Sequence, residues 1–433
     1  MREKLTNLKS NKAITLIALV ITIIVLLILA GVTIATLTGD NELLKKASSA
    51  KDANSNAEIE EKIMLAYNSA IIENNAQNIN MVKSISNNLK ADYPNNKVTD
   101  REDFIRIKLN EDIIYNLKNG KLERLPIFSS GLYDENNNQI YNWNELLERN
   151  YLTVTNGILT SSATNSANPN VDNLVGKLVI DKSVKKIGIN GLTFLSNLTE
   201  VIIPEGVTTL DINSFRYCSK LTSIEIPEGV TSIKDNAFGG CSSLKYIEFP
   251  ETLIEIRGGS FENCNSLKKV FIPKNLTTLN ELFSTCSSLN SIDVDVDNLN
   301  YASIDGVLFD KNIQTLIKYP IGRIQTEYNI PKTVTKIGYL AFWNCPALKH
   351  ITLSGIETEI GQHAFNYCKA LENITISSSI SIINSQAFYG CSKLTEIIYN
   401  DVKYTSKSSL ESDLQNNGVI LGSSVFLGVG LSE

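Results

Sequence analysis

Seven cysteines recur at a near-constant interval through the second half of this chain, and that interval limits what it can fold into. Cys218, Cys241, Cys264, Cys286, Cys345, Cys368 and Cys391 are separated by 23, 23, 22, 59, 23 and 23 residues. Three residues before each stands a phenylalanine: Phe215, Phe238, Phe261, Phe283, Phe342, Phe365 and Phe388. Leu follows three residues after each cysteine, and Ile or Val six after, as in Leu221 and Ile224. A fixed period of this length predicts a solenoid in which every repeat is one coil.

The coil can be read residue by residue from Leu221 to Ser243. Leu221, Ile224 and Ile226 form a short strand with its apolar side inward. Pro227 has no N–H for a ladder and ends that strand, and Glu228-Gly229 turns the chain. Val230 and Ile233 make a second inward piece, and Ala237-Phe238 and Cys241 return across a short turn. A degenerate coil with Leu195 in the cysteine place precedes the seven, giving about eight coils over 174–400. The 59-residue gap holds two periods plus 13 residues, so an insertion is expected at about 296–330. Within it, Ser303–Phe309 and Thr315–Lys318 are expected to pair across Asp310-Lys311-Asn312. Residues 401–433 read as a cap: Ser408 and Glu411 have capping-box spacing, Gly418 ends a helix, and Val419–Leu421 closes the stack.

These motifs resemble the BspA-type, or Treponema-type, leucine-rich repeat, whose coils read L-x-x-I-x-I-P-x-x-V-x-x-I-x-x-x-A-F-x-x-C. The resemblance implies a leucine-rich-repeat solenoid, mainly strand with short turns, carried by a bacterial surface protein. It also implies a protein, cell-surface or matrix ligand.

An odd number of cysteines raises three possibilities: disulfides, a metal column or buried thiols. Their shared register points all seven into the core, where free Cys acts as a small hydrophobe. In-register neighbours fit disulfide geometry poorly, and no His or C-x-x-C spacing accompanies them. The phenylalanine column is read as core. The chain holds only His350 and His363 and lacks nucleophile-elbow, zinc-protease, P-loop and dinucleotide signatures. An enzyme, a cofactor and a metal are therefore not expected. A net charge of −6 offers no polycation for nucleic acid. Asp293, Asp295 and Asp297 alternate along one strand, as a weak cation site or as a solvated acidic stripe.

From Ala13 to Gly39 no charged residue occurs, enough to cross ~30 Å of hydrocarbon. Arg2, Lys4, Lys9 and Lys12 precede this run, so residues 1–13 are expected to stay cytoplasmic and the remainder to be extracellular. A removable secretory signal is the competing reading, although the run is long for one and no A-x-A site follows. The stretch NKAITLIALVITIIVLLILAGVTI is similar to the N-terminus of type IV prepilins. That similarity implies cleavage between Ala13 and Ile14 by prepilin peptidase, a transmembrane helix over 14–39 spanning the membrane through 14–37, and pilin-like partner subunits. Ala13 replaces the family's usual Gly, and Ala18 replaces the Glu that pairs with a neighbour's amine inside the filament.

Residues 40–152 are expected to hold a helical extension and a small pilin-like α+β head. Ile59, Ile63, Ala66, Tyr67, Ala70 and Ile71 recur at helical steps. Phe104–Leu109 reads as a strand, and Asp112–Leu125 as a hairpin about Asn119-Gly120. Gly131–Ile140 reads as another hairpin, with Asn142 or Asn144 capping a short helix and DENNNQ as its polar turn. The Ser/Thr/Asn-rich stretch 153–173 is expected to link head and solenoid.

The expected binding face comprises the outward strand positions, and from it we select Tyr246, Glu248, Lys269, Phe271, Asp293, His350, Thr352 and Asn373. The function expected is protein recognition or adhesion at the cell surface. The alternative is a minor pilin or pseudopilin-like component of a filament or secretion apparatus.

Overall fold

The computed structural model describes residues 55–71, 81–94, 96–101, 104–110, 113–118, 121–124, 128–161, 174–280, 283–355, 358–376 and 380–433. The expected leader, its Ala13/Ile14 cleavage site and the helix 14–39 lie outside these residues. Among the described residues, no helix is long and apolar enough to cross a membrane. The chain divides into two compact units, Met1–Ile127 and Phe128–Glu433.

In the first unit a helix over 55–71 and a second at Met81–Leu89 pack on a four-stranded antiparallel meander. Its strands are Lys97–Arg101, Phe104–Asn110, Ile113–Lys118 and Lys121–Arg124. Ile59, Ile63, Ala66 and Ala70 recur every three or four residues and so share one helical face. They bury that face against Ile107, Leu109, Tyr115 and Leu117. Lys118 pairs with Lys121, with Asn119-Gly120 between them outside the described residues.

The second unit begins earlier than the expected linker. Gly131–Tyr133 and Gln139–Asn142 form a hairpin, and its first strand pairs antiparallel with Gly176–Val179. Leu152–Thr155 and Ile158–Ser161 form a second hairpin, whose latter strand pairs in parallel with Lys186–Ile187. Residues 128–161 therefore start both sheets of the solenoid and are neither head nor linker. The reason is edge chemistry: the first coil would otherwise expose two rows of unpaired backbone groups. Between the hairpins runs the helix Trp143–Glu148. Asn142 caps it by accepting from the Glu145 N–H at 3.0 Å, while the Glu145 carboxylate accepts from the Asn142 N–H at 2.7 Å. The DENNNQ turn is organised by Asp134, which accepts from the backbone N–H groups of Asn136 and Asn138 at 2.9 and 2.8 Å.

Each coil then contributes two strands. The longer ones (Leu198–Ile202, Ser223–Glu225 and Tyr246–Glu248, for example) form a main ladder in parallel register, Val201 beside Ile224 beside Ile247. The shorter ones, such as Thr209–Leu210 and Ser232–Ile233, form a return ladder. A third row of bonds joins the turns, as from the Phe215 N–H to the Ala237 carbonyl at 2.7 Å. The stack has about nine turns, more than the eight expected, and Tyr319 and Phe426 continue the phenylalanine column beyond the seven regular rings.

The seven phenylalanines are fully buried. Phe215 and Phe238 stack with centroids 5.2 Å apart, and Phe342 and Phe365 with centroids 4.8 Å apart. The coil repeat sets these spacings, because hydrogen-bonded strands lie ~4.8 Å apart. All seven cysteines are buried free thiols.

The insertion differs from its expected single hairpin. Tyr301–Ile304 pairs with Val307–Asp310, which in turn pairs with Thr315–Lys318. The anticipated strand over 303–309 breaks at Asp305-Gly306, where φ is +49° and +74°. An Asp-Gly pair is the sequence that a two-residue type I′ turn selects. Strand alternation sends neighbouring side chains to opposite faces. Leu308 accordingly joins the core of the preceding coils, whereas Val307 and Phe309 join the core of the following ones.

At the C-terminus the helix is Lys407–Asn416, and Ile420–Leu421 pairs with Ile382–Ile383 to close the return ladder. The expected Ser408/Glu411 capping box does not form. Ser406 is the N-cap, and its hydroxyl donates instead to the Glu433 carbonyl at 2.9 Å.

Candidate functional site

The main ladder faces outward through alternate residues of each strand, because its inward set is fixed by the Leu and Ile columns. The register places the selected residues in two groups. In the first, Tyr246 lies beside Ser223 and Glu248 beside Glu225. One repeat further on, Lys269 lies beside Ser291 and Phe271 beside Asp293. In the second group, His350 lies between Glu327 and Asn373, and Thr352 between Asn329 and Thr375. The first group spans two sheets and the second lies on another, with the insertion between the groups in sequence.

Several charges on this face are neutralised by their neighbours one coil away. Lys177 pairs with Glu200 at 3.2 Å and Lys349 with Glu372 at 3.1 Å, and that lysine holds the Glu372 carboxyl below its usual range. The Asp293 carboxylate accepts from the Ser291 hydroxyl at 2.9 Å. Phe271 stands apart from these: it is 49 % exposed on a strand whose inward residues Val270 and Ile272 are buried.

The spacing of Asp293, Asp295 and Asp297 has a turn-forming role in part. The Asp295 carboxylate accepts from the Asp297 N–H at 2.8 Å. It also faces Glu251, whose carboxyl is pushed up by burial and by the Asp295 charge. Among the described residues, no group of His, Cys, Asp and Glu is placed to hold a metal ion. His363 occupies a turn, its Nδ1 2.7 Å from the Asn366 amide nitrogen.

Further exposed apolar groups, absent from the expected face, lie on or just past main-ladder strands. Ile202, at the same strand position three coils earlier, is 37 % exposed. Val296 and Leu299, just past the strand that carries Asp293, are 83 % and 81 % exposed. Their signal was present in DVDVDNLN, where two apolar residues follow the strand with no coil position to fill. Between them Asn298 is fully buried, and its amide donates to the carbonyls of Pro273 at 2.7 Å and Leu276 at 3.1 Å. That anchor fixes the loop that presents Val296 and Leu299.

A cleft of about 540 Å³ lies at the start of the second unit, lined by Ser129, Ser130, Gln139, Trp143, Asp181 and Ser183 among others. Its polar groups largely satisfy one another, as in the bond from the Ser130 hydroxyl to Asp181 at 3.0 Å.

Parallel coils with stacked Phe, Cys, Leu and Ile columns define a leucine-rich-repeat solenoid. The model of the BspA type leucine rich repeat region matches residues 170–290, 208–321 and 322–426, and the chain belongs to that family. Leucine-rich-repeat proteins are typically non-enzymatic binding modules. Among solved structures, the pneumococcal vaccine antigen PcpA is 20 % identical with a TM-score of 0.49, over 77 % of this chain and 81 % of that one. A leucine rich cell surface protein from Faecalibacterium prausnitzii is 22 % identical with a TM-score of 0.42, over 75 % of this chain and 95 % of that one. A leucine-rich repeat protein from Bacteroides ovatus is 21 % identical with a TM-score of 0.41, over 74 % and 79 % of the two chains. No curated protein matches this chain.

Proposed function

We propose that this is a membrane-anchored, cell-surface recognition protein that adheres to a protein ligand through the outward main-ladder face. The membrane anchor is residues 14–37, with the N-terminus cytoplasmic and everything beyond residue 39 extracellular. The observation that carries this reading is the exposure of Phe271 beside Asp293, with Val296 and Leu299 presented just beyond. Exposed aromatic and aliphatic groups on a rigid scaffold are the usual anchors of a protein interface. Tyr246, Glu248, Lys269, His350, Thr352 and Asn373 would supply the polar surround.

The test uses the full chain in nonionic detergent against immobilised host-surface and matrix proteins. Phe271→Ala combined with Val296→Ser should weaken the strongest interaction at least about tenfold. Both side chains are exposed, so the double variant should fold normally. Unchanged binding, or no ligand across the panel, sinks the assignment.

A second reading is that prepilin peptidase cuts after Ala13 and the protein joins pilin-like subunits as a minor component. The helix over 55–71 packed on an antiparallel meander favours it. Mass spectrometry of the native protein should then find Ile14 at the mature N-terminus, and an intact Met1 eliminates it.

A further inference from the structure

The turn edge of the solenoid, between the Phe and Leu places of each coil, has a chemistry unlike the rest of the chain. The residue just before each cysteine sits in the left-handed region in most coils. Gly240, Asn263, Asn344 and Gly390 have φ of +79°, +59°, +53° and +73°. This conformation aims the residue's N–H at the next coil, as in the 2.7 Å bond from Gly240 to Glu262. Gly and Asn enter it at low cost, whereas bulky residues are strained there.

Three coils nonetheless place an aromatic ring at this position. Phe194, Tyr217 and Tyr367 have φ of +61°, +59° and +59°. The following coil makes room for each tyrosine. A Cβ on Gly240 would lie 2.4 Å from the Tyr217 ring, and one on Gly390 would lie 2.7 Å from the Tyr367 ring. Each tyrosine also carries a cation over its ring, the Arg216 guanidinium at 4.8 Å and the Lys369 ammonium at 5.8 Å. Tyr217 is 39 % exposed and Tyr367 40 %. The same strained construction thus occurs twice, six coil steps or ~30 Å apart.

Charge on this edge is one-sided. In a chain of net charge −6, the edge carries Arg216, Lys220, Arg323, Lys369 and Lys393 against Glu262 among the described residues. The coils between the tyrosines offer amides and hydroxyls: Ser242, Ser243, Asn263, Asn265 and Ser287.

We infer that this edge binds an anionic polysaccharide, separately from the main-ladder face. Cations meet its acid groups, and amides and hydroxyls meet its sugar hydroxyls. The tyrosines contribute ring edges and phenol groups. Their faces are already covered, Tyr217 by Phe194 at 5.0 Å and Tyr367 by the Gly390 backbone. Nucleic-acid bases need an open ring face for stacking; Tyr217 has Phe194 on one side and Gly240 on the other, which favours the saccharide.

The test measures binding of the detergent-solubilised full chain to immobilised heparin, a sulfated polysaccharide. Retention should weaken steeply with salt. Tyr217→Asn combined with Tyr367→Asn installs the residue that two other coils use at this place. It should keep the melting temperature and lose affinity at least about tenfold. Arg216→Gln combined with Lys369→Gln should flatten the salt dependence. The inference is overturned if heparin is not retained, if the asparagine variant binds like wild type, or if single-stranded DNA competes as strongly as heparin. A melting temperature that falls together with affinity overturns it too, since the rings would then be structural. None of these readouts involves Phe271, so failure of the main-ladder reading leaves this result intact.

Discussion

The Cys241 sulfur donates to the carbonyl oxygen of Phe215, 3.1 Å away in the preceding coil. The same bond recurs from Cys218 to Leu192, Cys264 to Phe238 and Cys391 to Phe365, at 3.1, 3.3 and 3.0 Å. Cysteine is therefore suited to this place in two ways. It fills a small buried space as a hydrophobe, and its S–H weakly ties each coil to the one before.

Replacing Cys241 with Ala should lower stability by about 1–2 kcal/mol, through a small cavity and one lost weak bond. Cys241 and Cys368 belong to different core clusters, so the double alanine variant should add to within ~0.5 kcal/mol. Urea denaturation measures both, and a near-neutral Cys241→Ala would refute the tie.

The thiols should be inert in the native protein. Burial pushes Cys218 up to about 12 and holds Cys241, Cys345 and Cys368 well above their ordinary range. The thiolate is the reactive form. A thiol reagent at pH 8 should therefore modify none of the seven natively and all seven in denaturant. Fast native labelling of any one contradicts the packing described.

Acid should weaken the return ladder through Glu255. Burial opposes its ionisation, but hydrogen bonds from Lys234, Ser232 and Arg257 prevail and hold its carboxyl down at about 2. A carboxyl depressed on folding adds stability above its unfolded value and loses it as pH falls towards the folded one. The contribution should be complete at neutral pH and fade between about 4.5 and 2. Glu255→Gln should lower the melting temperature at pH 7 and flatten its slope across that window. Parallel slopes for variant and wild type would exclude this role.

Asn298 should matter more than its sequence context suggests. It is fully buried, donates twice to the preceding coil, and accepts from the N–H groups of Asn300 and Tyr301 at 2.8 Å each. Asn298→Ala removes four hydrogen bonds made by one buried side chain and should cost about 2–4 kcal/mol. Hydrogen exchange should show the loss concentrated at 295–310, and uniform protection would argue against it.

The coil was legible because its packing is periodic: Phe, Cys, Leu and Ile at fixed offsets specify which side of each strand faces inward. What the spacing hid are features that depend on partners. The hairpin at Gly131–Asn142 is readable as a hairpin, yet only Val179 opposite Gly131 shows that it belongs to the solenoid. Ser408 and Glu411 satisfy a capping pattern, but Ser406 is drawn to the chain terminus and starts the helix two residues earlier. At the binding face, Phe271 was visible as an outward aromatic in a regular strand. Val296 and Leu299 left only a weaker trace, two apolar residues past the end of a strand, since no repeat assigns a loop residue to a side. The strained tyrosines were hidden similarly, because the sign of φ leaves its trace only in the Gly and Asn of neighbouring coils.

The inserted strand Val307–Asp310 turns Leu308 to one core and Val307 and Phe309 to the other. It works as a bulkhead, giving each block of coils its own end wall. A coil gained or lost between Phe342 and Phe388 would lengthen or shorten the second block without disturbing contacts in the first. The chain can therefore change its reach while the surface around Phe271 keeps its geometry.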